Sequence, residues 1–110
     1  MKLLNNKLII PKGKIENYLL NIHHPEGVFK AMYFIKYGFL PSQPEVLSEA
    51  IITHAIINPV EKEMQTEFGT KYIVKGILKT PDNKDIRIVT VWFRNLGEDF
   101  VNLVTAYPEK

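Results

Sequence analysis

The chain contains no cysteine. That absence excludes disulfides, thiol catalysis and cysteine-bound zinc. The three histidines (His23, His24 and His54) lack zinc-protease spacing, and no acidic cluster suggests a metal site. Neither a metal nor a cofactor is expected. Glycine-rich phosphate motifs are also missing, which argues against nucleotide binding of that kind. No apolar run approaches the roughly 18–20 residues of a membrane span. The opening Met1–Ile10 carries Lys2 and Lys7 but no long apolar core and no small-residue cleavage site. A signal peptide is therefore not expected, and a cytoplasmic protein is the default expectation.

What is present is an ordinary globular composition. The chain has 110 residues, 45% of them hydrophobic and 24% charged. That is enough apolar material for a core, and one domain spanning 1–110 is expected. The net charge of +2 permits an anionic partner without demanding one; dedicated nucleic-acid binders are often more basic.

Periodicity divides the chain in two. Leu8-Ile9-Ile10, ended by Pro11, predicts a strand or a docked arm. Ile15, Tyr18 and Leu19 fall at helical spacing within 14–21. A second helix is predicted from Pro25, with His24 at or next to the N-cap and Gly38 as the stop. Val28, Ala31, Met32 and Ile35 form its expected core face. A third helix opens at Ser42–Pro44, runs through Leu47, Ala50, Ile51, His54 and Ile57, and closes at Asn58-Pro59. Period-two alternation follows: Met64–Phe68, then Tyr72 to Leu78, a Pro81–Lys84 turn, Ile86–Arg94, and Phe100–Tyr107. Helical residues about 12–58 and sheet residues about 62–108 predict an α+β fold, with N-terminal helices packed on one face of a C-terminal antiparallel meander.

Chemistry concentrates at His23-His24-Pro25-Glu26-Gly27-Val28-Phe29-Lys30. Histidine moves protons near neutral pH, and lysine stabilises anionic oxygens. A histidine at a helix start lies where anions are favoured, in a field that favours its neutral form and suits a general base. The bland alternatives are a cap at His24 and an exposed Lys30–Glu26 pair. On a helical wheel Lys30 lies opposite the expected core face, beside Glu26, Tyr33 and Tyr37. His54 reads as a packing or surface histidine.

The strands add further candidates. Thr90, Trp92 and Arg94 share a face with Ile86 and Ile88 by alternation, and Thr105 and Tyr107 share one with Val101 and Leu103. Cross-strand packing accounts for such residues on its own. The same set also suits RNA, with Arg94 and the hydroxyls on phosphate and the rings stacked on bases.

These residues carry a resemblance. His24-Pro25-x-Gly27-x-x-Lys30-Ala31, then Phe34 and Tyr37-Gly38-Phe39, resemble the opening of a bacterial protein family of about this length. Phe68-Gly69 with Tyr72, Thr90-x-Trp92, and Leu103-Val104-Thr105-Ala106-Tyr107-Pro108 match its later pattern, so nearly the whole chain is covered. The family is similar to a toxin branch of the barnase/EndoU/colicin/RelE-like ribonuclease superfamily. The resemblance implies a small metal-independent endoribonuclease, the toxin of a toxin–antitoxin pair, with an RNA substrate and a small cognate antitoxin. It implies His24 as general base or acid, Lys30 as charge stabiliser, Thr105 on a phosphate oxygen and Tyr107 as acid or hydrogen-bond donor. Thr90 would assist and Trp92 would stack a base, with His23 in reserve for His24. Where many homologues carry Pro-Arg before the last strand, this chain has Val101-Asn102, so that arginine's role does not carry over; Arg94 is the candidate substitute. The rival reading is a non-catalytic binding module, such as an antitoxin, an immunity protein or an RNA-binding partner.

Overall fold

The helices precede all but one strand of the sheet, and that change at Pro59 is the one the period predicts. The computed structural model describes residues 2–3 and 7–109; within the opening Met1–Ile10, residues 1 and 4–6 lie outside the described residues. The order is β1 (Leu8–Ile9), a π-helical turn (Ile15–Leu19), α1 (Val28–Lys36), α2 (Pro44–Ile57), β2 (Val60–Thr66), β3 (Gly69–Lys79), β4 (Asp85–Asn95) and β5 (Val101–Pro108). The fold is a mixed α+β one with a five-stranded sheet.

The helix boundaries follow from local chemistry. α1 begins at Val28 rather than Pro25, because His24 first closes a turn over Glu26 and Gly27 with its own side chain. It ends in a Schellman motif: Phe39 N–H donates to Phe34 O at 3.1 Å and Gly38 N–H to Ile35 O at 3.0 Å. Gly38 adopts the required positive φ of 100°. The Phe34 and Phe39 rings meet edge to face, centroids 6.1 Å apart, which supplies the motif's apolar contact. Pro44 starts α2 at a position where its missing N–H costs nothing.

The buried face of α1 differs from the expected one. Ala31 and Phe34 are buried, Val28 and Ile35 are half-buried, and Met32 is 56% exposed. Phe34 packs edge to face on the equally buried Phe39, and Gly27, one turn before Ala31, lets that side approach its neighbours closely. The helix is therefore rolled toward Phe34. The roll moves Lys30 from the expected far side to the flank of the buried face. α2 follows its pattern more simply, burying Leu47, Ile51, His54 and Ala55 against β3.

Strands β2 to β5 form the expected antiparallel meander, in sheet order β1-β5-β4-β3-β2. β1 departs from it by pairing parallel to β5, Leu8 with Val101 and Ile9 with Asn102. Short apolar runs do not encode strand direction, so this pairing was invisible in the sequence. The core lies between the helices and one sheet face: Leu19, Phe34, Phe39, Leu47 and Ile51 meet Tyr72, Val74, Leu78, Ile88, Trp92 and Leu103.

A bulge in β5 places the site. Val91 pairs with Thr105 but Trp92 pairs with Leu103, leaving Val104 as an extra residue. The strand thereby changes phase. Val101 and Leu103 are buried in the core, and so is Ala106. Thr105 and Tyr107 instead register with Val91 and Val89, which alternate with the core-facing residues of β4. The expected single face of Val101, Leu103, Thr105 and Tyr107 does not form.

Candidate active site

Four elements converge beside the β5 bulge. The π-helical turn supplies Tyr18, the loop before α1 supplies His24, α1 supplies Lys30 and β5 supplies Thr105. Together with Lys14, Glu26 and Val104 they line an open pocket of about 400 Å³. β1 pairs only as far as Asn102, so among the described residues no strand covers the β5 edge at Thr105. Lys30 reaches that edge.

Lys30 is the hub. Its Nζ donates to the Tyr18 hydroxyl and, at 3.1 Å, to Thr105 Oγ1. The same ammonium lies 4.9 Å from the centroid of the Tyr18 ring, and Lys14 Nζ lies 5.5 Å from it. Burial alone would raise the Tyr18 phenol. The hydrogen bonds with Lys30 and Thr105 and the charges of Lys30 and Lys14 outweigh it and hold the phenol below its ordinary value of 10.

Gly27 makes the arrangement possible. A Cβ there would lie 2.8 Å from Tyr18 O and 2.9 Å from Tyr18 Cδ1. Any side chain would push the start of α1 off the π-helical turn and separate Lys30 from Tyr18. The glycine of the His24-x-x-Gly27 spacing therefore serves close approach and not backbone conformation.

His24 is held in one orientation. Its Nδ1 accepts the backbone N–H groups of Glu26 and Gly27, both at 3.1 Å. Its ring packs edge to face on Tyr18, centroids 4.9 Å apart. An Nδ1 that accepts two N–H groups carries no proton, so the neutral ring bears its proton on Nε2. His24 thus presents a donor.

The other candidate residues sit elsewhere. Tyr107 lines a separate pocket with Lys75, Val89, Pro108 and Glu109, two residues further along β5 than Thr105. His23 is exposed and does not line the pocket. Trp92 is 0% exposed and offers no face to a base. Its Nε1 donates to Thr90 Oγ1 at 2.8 Å, and Thr90 Oγ1 in turn meets His54 Nε2 at 3.1 Å. His54 Nδ1 completes this buried network at Ile77 O, 3.1 Å away. Burial drives the His54 pKa below 6.5 and keeps the ring neutral. Thr90, Trp92 and His54 therefore bind the helical layer to the sheet, and neither Thr90 nor Trp92 reaches the pocket. Arg94 contacts Thr70 Oγ1 at 3.3 Å, Tyr72 OH at 3.4 Å and Glu98 O at 3.4 Å. It lines a different cavity with Lys2, Lys7, Asp99 and Val101, away from Lys30.

Tyr18 is the site residue that sequence reasoning missed. It reads as one of three apolar positions of a short helix. The available signal was Gly27, whose small size beside Lys30 marked a place where something else comes close.

Among the described residues no group of three or more His, Asp or Glu could hold a metal ion, and no helix is long and apolar enough to cross a membrane. The chain belongs to the family described as domain of unknown function DUF6883, whose model matches residues 2–110. No curated protein matches it. Among solved structures, a chain of the "Contact-dependent growth inhibition toxin - immunity protein complex from Klebsiella pneumoniae 342" is similar, with a TM-score of 0.73 and 15% identity. The match covers 92% of this chain and 99% of that one. At that identity the likeness is one of fold.

Proposed function

We propose that this DUF6883 domain is a small metal-independent endoribonuclease of the ribonuclease-toxin type, the toxin of a bacterial pair acting in the cytoplasm. The observation that carries the reading is the meeting of Lys30, Thr105, Tyr18 and His24 in one open pocket, Lys30 and Thr105 being 75 residues apart in sequence. RNA cleavage without a metal uses the substrate's own 2′-hydroxyl as nucleophile. The protein must then supply a proton acceptor and donors for the charge that develops on phosphorus. Lys30 and Lys14 supply positive charge, Thr105 a hydroxyl, and His24 an Nε2–H. The fold shared with a chain of a toxin–immunity complex supports the reading. Purified protein incubated with total or transfer RNA in EDTA should cleave it, and His24→Ala and Lys30→Ala should not. Wild type that leaves RNA intact would sink the assignment.

A second reading is a non-catalytic partner of the immunity or antitoxin type. It is favoured by the apolar outer side of α1, where Phe29 is 81% exposed next to Met32. The complex that shares the fold contains both a toxin and an immunity protein, so fold likeness fits either. This reading predicts a stoichiometric complex, lost in Phe29→Glu, and no turnover of RNA.

A further inference from the structure

We infer that Tyr18 is the general base of the site, taking the proton of the RNA 2′-hydroxyl, while His24 only donates a hydrogen bond. The inference rests on the ribonuclease reading and reassigns its central chemical role.

The argument begins with His24. A general base needs a free lone pair. In neutral His24 the Nδ1 pair is taken by two backbone N–H groups at 3.1 Å, and Nε2 bears the proton. Moving that proton to Nδ1 would break both bonds and leave two N–H groups facing an N–H. His24 therefore suits a non-bridging phosphate oxygen, as a neutral donor.

Four other groups in the pocket are titratable. Lys30 and Lys14 are cations, and Lys30 is already engaged with Tyr18 and Thr105. Glu26 lines the rim as an exposed carboxylate, with no hydrogen bond to Tyr18, Lys30 or Thr105 among the described residues. Tyr18 remains. Its hydroxyl is one of two oxygens that Lys30 addresses inside the pocket, the only titratable one of the two, and an ammonium donating to a phenol stabilises the phenolate. Lys14 from the same turn adds a second positive charge. Gly27 exists to admit this ring. The carrier is a π-helical turn, an uncommon geometry that recurs at functional sites. The lowered phenol fits the same picture.

The step balances as follows. The Tyr18 phenolate takes the 2′-hydroxyl proton, the O2′–P bond forms and the P–O5′ bond breaks. Water at the open mouth protonates the departing 5′-oxygen, and the hydroxide so formed takes the proton back from Tyr18. The products are a 2′,3′-cyclic phosphate and a 5′-hydroxyl.

The test is a pH–rate profile on a short oligoribonucleotide spanning a mapped cleavage point. Wild type should show kcat/KM rising with pH to a plateau. Replacing Tyr18 with 3-fluorotyrosine should move that rise to lower pH, and Tyr18→Phe should lower kcat on the order of 10²-fold while circular dichroism stays native. His24→Gln should slow the reaction without moving the profile. Phenolate absorbance of wild type minus Tyr18→Phe, read without RNA, should titrate with the same midpoint. Cleavage that survives Tyr18→Phe within about three-fold, or a profile unmoved by fluorination, overturns the role of Tyr18 and leaves the ribonuclease reading in place. Wild type that cleaves nothing overturns both, and the absorbance titration then still reports whether the phenol is depressed.

Discussion

Lys30 Nζ and Thr105 Oγ1 stand 3.1 Å apart, 75 residues apart in sequence, and they join α1 to the bulged edge of β5. A half-buried ammonium with two hydroxyl partners is fixed in place before any substrate arrives, which is the condition for stabilising charge in a transition state. Lys30→Met keeps much of the side chain's length and apolar stem but removes the charge. It is expected to lower RNA cleavage by about 10²–10³-fold, with stability changed by less than about 1 kcal/mol. Thr105→Val should cost less, since Lys30 retains Tyr18. Cleavage assays beside urea melts separate the two effects.

Gly27→Ala is expected to damage the site more than the fold. The added methyl would sit 2.8 Å from the Tyr18 carbonyl oxygen, a backbone atom that cannot swing aside. Gly27 is the N-cap of α1, where glycine is itself preferred over alanine, so local preference and the contact act in the same direction. We expect a loss of cleavage of at least ten-fold, about the cost of 1.4 kcal/mol in positioning, with a melting temperature equal or lower. A melting temperature that rises with activity intact would show that the contact yields freely.

Thr90→Val should behave in the opposite way. It strands Trp92 Nε1 and His54 Nε2 without their buried partner, at a cost of about 1–3 kcal/mol. Cleavage per folded molecule should be unchanged, because Thr90 is buried in the core and does not line the pocket. Tyr107→Phe should likewise preserve cleavage, since Tyr107 lines another cavity. A specific loss of cleavage in either variant would return that residue to the site.

Stability should fall on acidification because of His54. Burial lowers its folded pKa below 6.5. Above pH 6.5 the ring is neutral in both states and its contribution is complete. Below that, the unfolded chain binds the proton first and folding is penalised, by up to about 1.4 kcal/mol per pH unit. Urea unfolding between pH 7.5 and 5 should show this slope in wild type and a shallower one in His54→Gln. Equal slopes would mean that His54 charges freely in the folded state.

Much of the fold was written in local pattern. Period 3.6 before Pro59 and period two after it gave the α+β order, and Gly38, Asn58-Pro59 and Pro81–Lys84 marked the breaks. Each of these signals depends on a residue's own backbone or on neighbours a few positions away. The roll of α1 was not legible, because Met32 and Phe34 are both apolar and only the shape of the cavity between Phe39 and the sheet chooses Phe34.

The site divides along the same line. His24, Gly27 and Lys30 were visible as a chemical cluster because they are close in sequence, and Thr105 as one of several strand residues that suit RNA. The structure brings those residues together with Tyr18 and sets Tyr107, Thr90, Trp92 and Arg94 apart. One extra residue, Val104, takes Thr105 and Tyr107 out of phase with Val101 and Leu103, and a register shift leaves no mark in a run of alternating apolar and polar groups. By itself the sequence determined which elements form and where charge and imidazole gather. Only tertiary structure decided which phenol meets the lysine, because that depends on helix roll, strand phase and a close approach between segments that no local pattern encodes.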